Sequence, residues 1–131
     1  MVALRWLGHE CFEIKDEETV VTDPHDGVGI GLPRPLTKAD IVTVSHGHFD
    51  HAKGVSIVSK PGAVVIETPG ERSIKGIAIK GIATFHDKTQ GAMRGKNVVF
   101  TIRMDGISFC HLGDLGHTLS EGQLAEIGNV D

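Results

Sequence analysis

Apolar residues fall in short, mostly β-branched runs along this chain, and the polar residues between them are of turn type. Residues 2–7 and 11–15, joined through Gly8-His9-Glu10, and residues 19–22 after Asp16-Glu17-Glu18 predict a three-stranded meander. The alternation Cys11-Phe12-Glu13-Ile14-Lys15 gives the second strand one wet face. Asp23-Pro24 stops the third strand, because proline has no N–H for the ladder. Residues 25–35 are rich in Gly and Pro and read as a long loop, of the kind that borders active sites. Residues 41–45 predict the next strand and residues 53–59 a short helix. After Pro61-Gly62, the run Ala63-Val64-Val65-Ile66-Glu67 predicts a further strand. That order is a βαβ unit, which favours parallel neighbours and a right-handed crossover.

Beyond the turn Thr68-Pro69-Gly70-Glu71, residues 74–80 and 81–85 read as two short strands, the second ending at His86-Asp87. Residues 88–96 have no apolar period and predict a loop or flap. Residues 97–104 and 107–112 flank Asp105-Gly106, which suits a two-residue type I′ hairpin turn. Ser120-Glu121-Gly122-Gln123 has the form of a capping box and predicts a helix to Ile127 with Gly128 as its C-cap.

With 131 residues the chain is expected to form one domain, residues 1–131. Its net charge is −4 and no basic run stands out, which argues against electrostatic capture of nucleic acid. No apolar stretch is long enough for a membrane span or the core of a signal peptide, so a cytoplasmic location is expected. Cys11 and Cys110 lie far apart and are expected to be buried free thiols.

The chemistry concentrates at Ser45-His46-Gly47-His48-Phe49-Asp50-His51, which places three imidazoles and one carboxylate within six positions directly after a strand. Packing does not call for such a density. Neutral imidazole and carboxylate bind borderline divalent metals at about 2.0–2.2 Å. On an extended segment His46 and His48 fall on one side and can share an ion, while Asp50 and His51 follow as the chain turns toward a neighbouring ion. His86 and Asp114 repeat the theme of a ligand type just past a β run. His9 could lie near the metals or be a turn histidine; Arg94 and Lys96 read as solvated loop charges.

The complete H-x-H-x-D-H pattern resembles the signature of the metallo-β-lactamase superfamily. Trp6-Leu7-Gly8-His9-Glu10-Cys11-Phe12, Thr22-Asp23-Pro24, His86-Asp87 and Cys110-His111-Leu112-Gly113-Asp114 narrow the resemblance to the L-ascorbate-6-phosphate lactonase-like group of metal-dependent hydrolases. The resemblance implies an α/β (α+β) fold, a metallo-β-lactamase-like αββα sandwich of which this chain would supply about the first half. It implies that His46, His48 and His86 hold one divalent ion, and that Asp50, His51 and Asp114 serve a second. Asp23 would be an outer partner that accepts a hydrogen bond from a ligating histidine, with His9 beside it. His25, His111 and His117 are expected to be structural or to support the ligands. Zinc is the first expectation, with manganese, nickel or iron open.

The implied chemistry is metal-assisted hydrolysis of a small ester, lactone or phosphoester-like substrate, with Asp50 as the catalytic group orienting the attacking water. Two alternatives stand beside it. One is a metal-binding but inactive fragment; the other is a half-domain that needs a homo-oligomer or a complementing C-terminal half. A fragment of a longer protein is expected, since half of a two-sheet sandwich would leave an apolar sheet face open to water.

Overall fold

Strands form where the β-branched runs lie, and the computed structural model, which describes residues 1–131, gathers them into two compact units, Met1–Glu67 and Thr68–Asp131. In the first unit β1 (Ala3–Trp6), β2 (Phe12–Lys15), β3 (Thr19–Thr22), β4 (Ala39–Thr43) and β5 (Ser59–Ile66) form one sheet in that order. The first three strands are antiparallel, as the meander predicts, and β3, β4 and β5 run parallel. The β4-to-β5 crossover carries two single-turn helices, α1 (Phe49–Ala52) and α2 (Val55–Val58). The predicted βαβ unit is therefore present, but the helical segment starts earlier than the sequence suggests. Asp50 and His51 lie on α1 instead of in the loop before a helix.

β3 and β4 are buried along their whole length, which fits central strands flanked on both sides within the sheet. Val42 and Val44 point the same way, two residues apart, and join Cys11, Val21, Ala39 and Val58 in a core against which Leu7, Ala52, Val55 and Ile57 pack. Pro61-Gly62 does not precede β5 but lies within it. The strand is at the sheet edge, where a missing N–H is tolerated. The pairing moves from Ala39↔Ser59 to Ile41↔Val64, so the extra residues bulge out of the ladder. Within the loop of residues 25–35 one 3₁₀ turn forms, Val28–Ile30.

The second unit is an antiparallel meander of β6 (Gly70–Ile74), β7 (Ile77–Phe85), β8 (Lys96–Met104) and β9 (Ile107–His111), followed by α3 (Glu121–Ile127). The two short strands read over residues 74–85 are one nine-residue strand, β7, preceded by a Lys75-Gly76 turn in the left-handed region. Gly81 does not break the strand. It pairs with Phe100, and a Cβ there would lie 2.8 Å from the carbonyl oxygen of Thr68. The glycine admits a close chain crossing, which no local pattern announces. The Asp105-Gly106 hairpin has φ of 51° and 75°, the two positive values a type I′ turn requires. Around α3 the Ser120 side chain accepts from the Gln123 N–H and Gln123 returns the bond to the Ser120 N–H, so the capping box is complete. No helix is long and apolar enough to cross a membrane.

Both cysteines are free thiols, Cys11 buried and Cys110 half-buried. Burial, helped by the charge of Asp23, pushes the Cys11 thiol up to about 12. Above the ordinary thiol range the unfolded chain ionises first, so this contribution to stability is full below that range and is lost as pH rises toward the folded value. At pH 8 the native protein is expected to react with a thiol reagent at Cys110 only, and at Cys11 only after denaturation. Equal labelling of Cys11 in the native state would contradict its place in the core.

Candidate metal centre

In the first unit β3 and β4 run parallel and end side by side, and the polar groups that follow them interlock there. Asp23, directly after β3, is fully buried in a left-handed conformation with φ 36°. Its N–H donates to the carbonyl of Thr43 at 2.8 Å, which ties the turn to the end of β4. Three donors converge on its carboxylate. The Ser45 N–H reaches Oδ1 at 2.7 Å, and the Ser45 hydroxyl and His51 Nδ1 reach Oδ2 at 2.5 and 2.8 Å. A non-glycine residue at positive φ costs on the order of 1–3 kcal/mol and persists where its surroundings over-determine it. Here the converging donors supply that determination.

The network also fixes protons. The Ser45 hydroxyl has one hydrogen and gives it to Asp23, so at its 2.9 Å contact with His46 Nδ1 it must accept. His46 therefore carries its proton on Nδ1, as His51 does toward Asp23. Both neutral rings then turn an Nε2 lone pair outward. This is the tautomer that metal-binding histidines need, set by an outer partner in the usual way. The sequence signals this role of Ser45 only through its adjacency to His46 and the Asp23-Pro24 stop after the neighbouring strand; the parallel register of β3 and β4 is what brings Ser45 and Asp23 together.

His46 and His51 are both buried, with ring centroids 4.1 Å apart, and the His48 ring lies 4.5 Å from that of His46, edge to face. His48 caps α1 in an extended conformation, while Ser45 and His46 bend just past β4, and the two rings come together across that bend. Asp50, the second residue of α1, comes within 3.4 Å of His51 Nε2. Burial pushes the Asp50 carboxyl up, but the hydrogen bond from His9, helped by the neighbouring His51 ring, outweighs it and holds the group below its ordinary range. His9, in the β1–β2 turn, reaches the same place: its Nε2 lies 2.9 Å from Asp50 Oδ2 and 3.2 Å from His51 Nε2. The donor set of imidazole nitrogens with fixed lone pairs and one carboxylate fits a borderline divalent ion. Asp23, by contrast, has its oxygens occupied by donors and serves as an anchor.

Two expected structural histidines are so in detail. His25 accepts from the Gly27 N–H at Nδ1 and donates from Nε2 to the Leu7 carbonyl, leaving no ring nitrogen over. In the second unit His117 accepts the Phe85 N–H at Nε2 and donates from Nδ1 to the Thr118 carbonyl.

The second unit brings together its own two predicted residues. His86 Nε2 lies 3.0 Å from Asp114 Oδ2. The Asp114 N–H is held by Asn97, whose buried amide also donates to Thr84 and to the Leu112 carbonyl. Asp87 builds the following loop: its carboxylate accepts from the N–H groups of Arg94, Gly91, Thr89 and Met93, which hold it well below the usual carboxylate range. The flap expected at residues 88–96 is thus folded around one carboxylate.

A mixed α/β chain with clusters of histidine and carboxylate that could hold a metal ion at strand ends has the form of a metal-dependent protein. The model of the beta-lactamase superfamily domain matches residues 3–131, and the chain belongs to that family. Among relatives, it is 33% identical to a UPF0173 metal-dependent hydrolase of Thermoplasma volcanium, over 99% of this chain and 67% of the relative. It is 32% identical to one of Methanoculleus marisnigri, over 85% of this chain and 57% of that protein. Among solved structures, it is 40% identical, with a TM-score of 0.75, to a protein of Thermotoga maritima described as a candidate Zn-dependent hydrolase of the metallo-beta-lactamase superfamily. That match covers 100% of this chain and 59% of the other. CmlA, a diiron β-hydroxylase of Streptomyces venezuelae, shares the fold at 16% identity and TM-score 0.68. The chain spans 57–67% of the length of the hydrolase relatives named here.

Proposed function

We propose that this chain carries the metal-binding part of a hydrolase that uses a metal-activated water on a small ester, lactone or phosphoester-like substrate. The observation that supports it most is the Asp23 network, which sets His46 and His51 in the ligating tautomer. The ligands of this reading are His46, His48, Asp50 and His51 from the first unit and His86 and Asp114 from the second. The last two rest on the family pattern. Two divalent ions follow from that set, zinc first because imidazole dominates it.

When bound, a divalent ion supplies an activated water at neutral pH and a Lewis-acid contact for a substrate oxygen. The chain's own groups do the rest. Asp23 and Ser45 hold the imidazoles in place. Asp50, kept as a carboxylate, orients the attacking water and carries its proton toward the leaving group.

His48 is exposed, so His48→Ala should leave the fold intact. Elemental analysis should show about two ions per wild-type chain and at most one in the variant. Losing an outer partner of a ligand costs about 10–100-fold, and loss of a ligand should exceed that in kcat/KM against a panel of chromogenic esters, lactones and phosphodiesters. A variant that keeps full metal content would sink the assignment. Full metal content with no turnover of any panel member in wild type would favour a binding role over hydrolysis.

A further inference from the structure

His9 lies outside the H-x-H-x-D-H motif, in the turn of the β1–β2 hairpin, yet three ligand-type atoms meet at its ring. Nε2 of His9, Nε2 of His51 and Oδ2 of Asp50 are separated by 2.9, 3.2 and 3.4 Å. For a tetrahedral ion with bonds of about 2.0–2.1 Å the ligand-to-ligand distance is about 3.3 Å. The three atoms are therefore spaced as one face of a coordination tetrahedron. A hydrogen bond alone accounts for less: the His51 proton is engaged at Nδ1 with Asp23, so His51 Nε2 presents a lone pair. A single proton on His9 Nε2 would have to serve both that lone pair and Asp50.

The position is also held from behind. His9 adopts φ 52°, a left-handed conformation few non-glycine residues take, and its carbonyl accepts the indole N–H of Trp6 at 2.8 Å. Trp6 itself is 66% exposed, so the ring gains little from burial at this place and its hydrogen bond braces the turn. β1 and β2 pair up to Trp6↔Phe12, and this register delivers the turn to the mouth of the His/Asp cluster.

We infer that His9 is itself a ligand of a divalent ion, completing with Asp50 and His51 a three-residue site contained within the first unit. The inference rests on the metal-dependent reading above and extends it, since an outer supporting role would place His9 behind a ligand and not beside two.

The test is nuclear magnetic resonance of the whole chain, nitrogen-labelled at histidine and loaded with spin-half cadmium. Scalar coupling of one cadmium to both His9 Nε2 and His51 Nε2 is expected. Coupling to His51 without coupling to His9 would overturn the inference and leave the metal-dependent reading standing. Absence of cadmium coupling at every imidazole would overturn both. As a second arm, His9→Gln should weaken zinc binding, measured by chelator competition, by more than the roughly 10–100-fold that removal of an outer partner costs. Trp6→Phe, which removes only the brace, should weaken it by less. Equal affinities for wild type and His9→Gln would again overturn the assignment.

Discussion

Asp23→Asn is expected to weaken divalent-metal binding by about 10–100-fold while keeping side-chain volume nearly constant. Three donors point at the two carboxylate oxygens of Asp23, and an amide keeps only one of those oxygens. Its NH₂ must then take the place of Oδ1, opposite the Ser45 N–H, or of Oδ2, which faces the Ser45 hydroxyl and His51 together. In the first place it strands the buried Ser45 N–H without an acceptor, at about 1–3 kcal/mol. In the second it forces the His51 ring to accept at Nδ1 and to carry its proton on Nε2, where the lone pair is needed. Either outcome damages the site. Competition with a fluorescent chelator gives the affinity, and imidazole resonances of the metal-free chain report the His51 tautomer. Unchanged affinity together with an unchanged tautomer would refute the role given to Asp23.

Gly54→Ala should damage the first unit more broadly. Gly54 lies between α1 and α2 with φ −87°, so its backbone suits any residue and the constraint is space alone. A Cβ there would lie 2.0 Å from the carbonyl oxygen of His25 and 2.9 Å from the carbonyl carbon of Pro24, while the Gly54 N–H donates to the Pro24 carbonyl at 2.8 Å. The opposing atoms are backbone and have no rotamer to yield. Relief requires moving either the helices that carry Asp50 and His51 or the turn that carries Asp23. Overpacking commonly costs about 1–3 kcal/mol, and a clash between two main chains belongs at or above the top of that range. A chemical-denaturation midpoint measures it. A variant with wild-type stability and metal affinity would show that this contact is looser than described. Gly116→Ala is the counterpart in the second unit, where a Cβ would lie 2.2 Å from the carbonyl carbon of His86.

The features legible in the sequence share one property: the residues that cause them are neighbours. Asp105-Gly106 sets a hairpin, Ser120 and Gln123 cap α3, and the β-branched runs give most strands. The pairing of His46 with His48 could be read for the same reason, although the chain bends there instead of staying extended. What escaped depends on partners distant in the chain. Gly81 looks like a breaker until Phe100 and Thr68 are seen across it, and Pro61-Gly62 until β5 proves to be an edge strand. The link from Asp23 through Ser45 to His46, beside the direct bond from His51, needs the parallel register of β3 and β4, which fixes contacts over some twenty residues of separation. His9 lies between the two: the sequence leaves open whether it is near the metals or a turn histidine, and its place beside Asp50 and His51 comes from the 2.9 and 3.2 Å contacts made 41 and 42 residues away.

The hydrogen bonds that join Asp23 to Ser45 and His51 bear also on the kinetics of loading. Those imidazoles lose their rotamer freedom as β3 and β4 pair, during folding, and not when an ion arrives. Such preorganisation removes an ordering penalty from capture. Uptake into the stripped, folded chain should then be limited by dehydration of the incoming ion, not by rearrangement of the polypeptide.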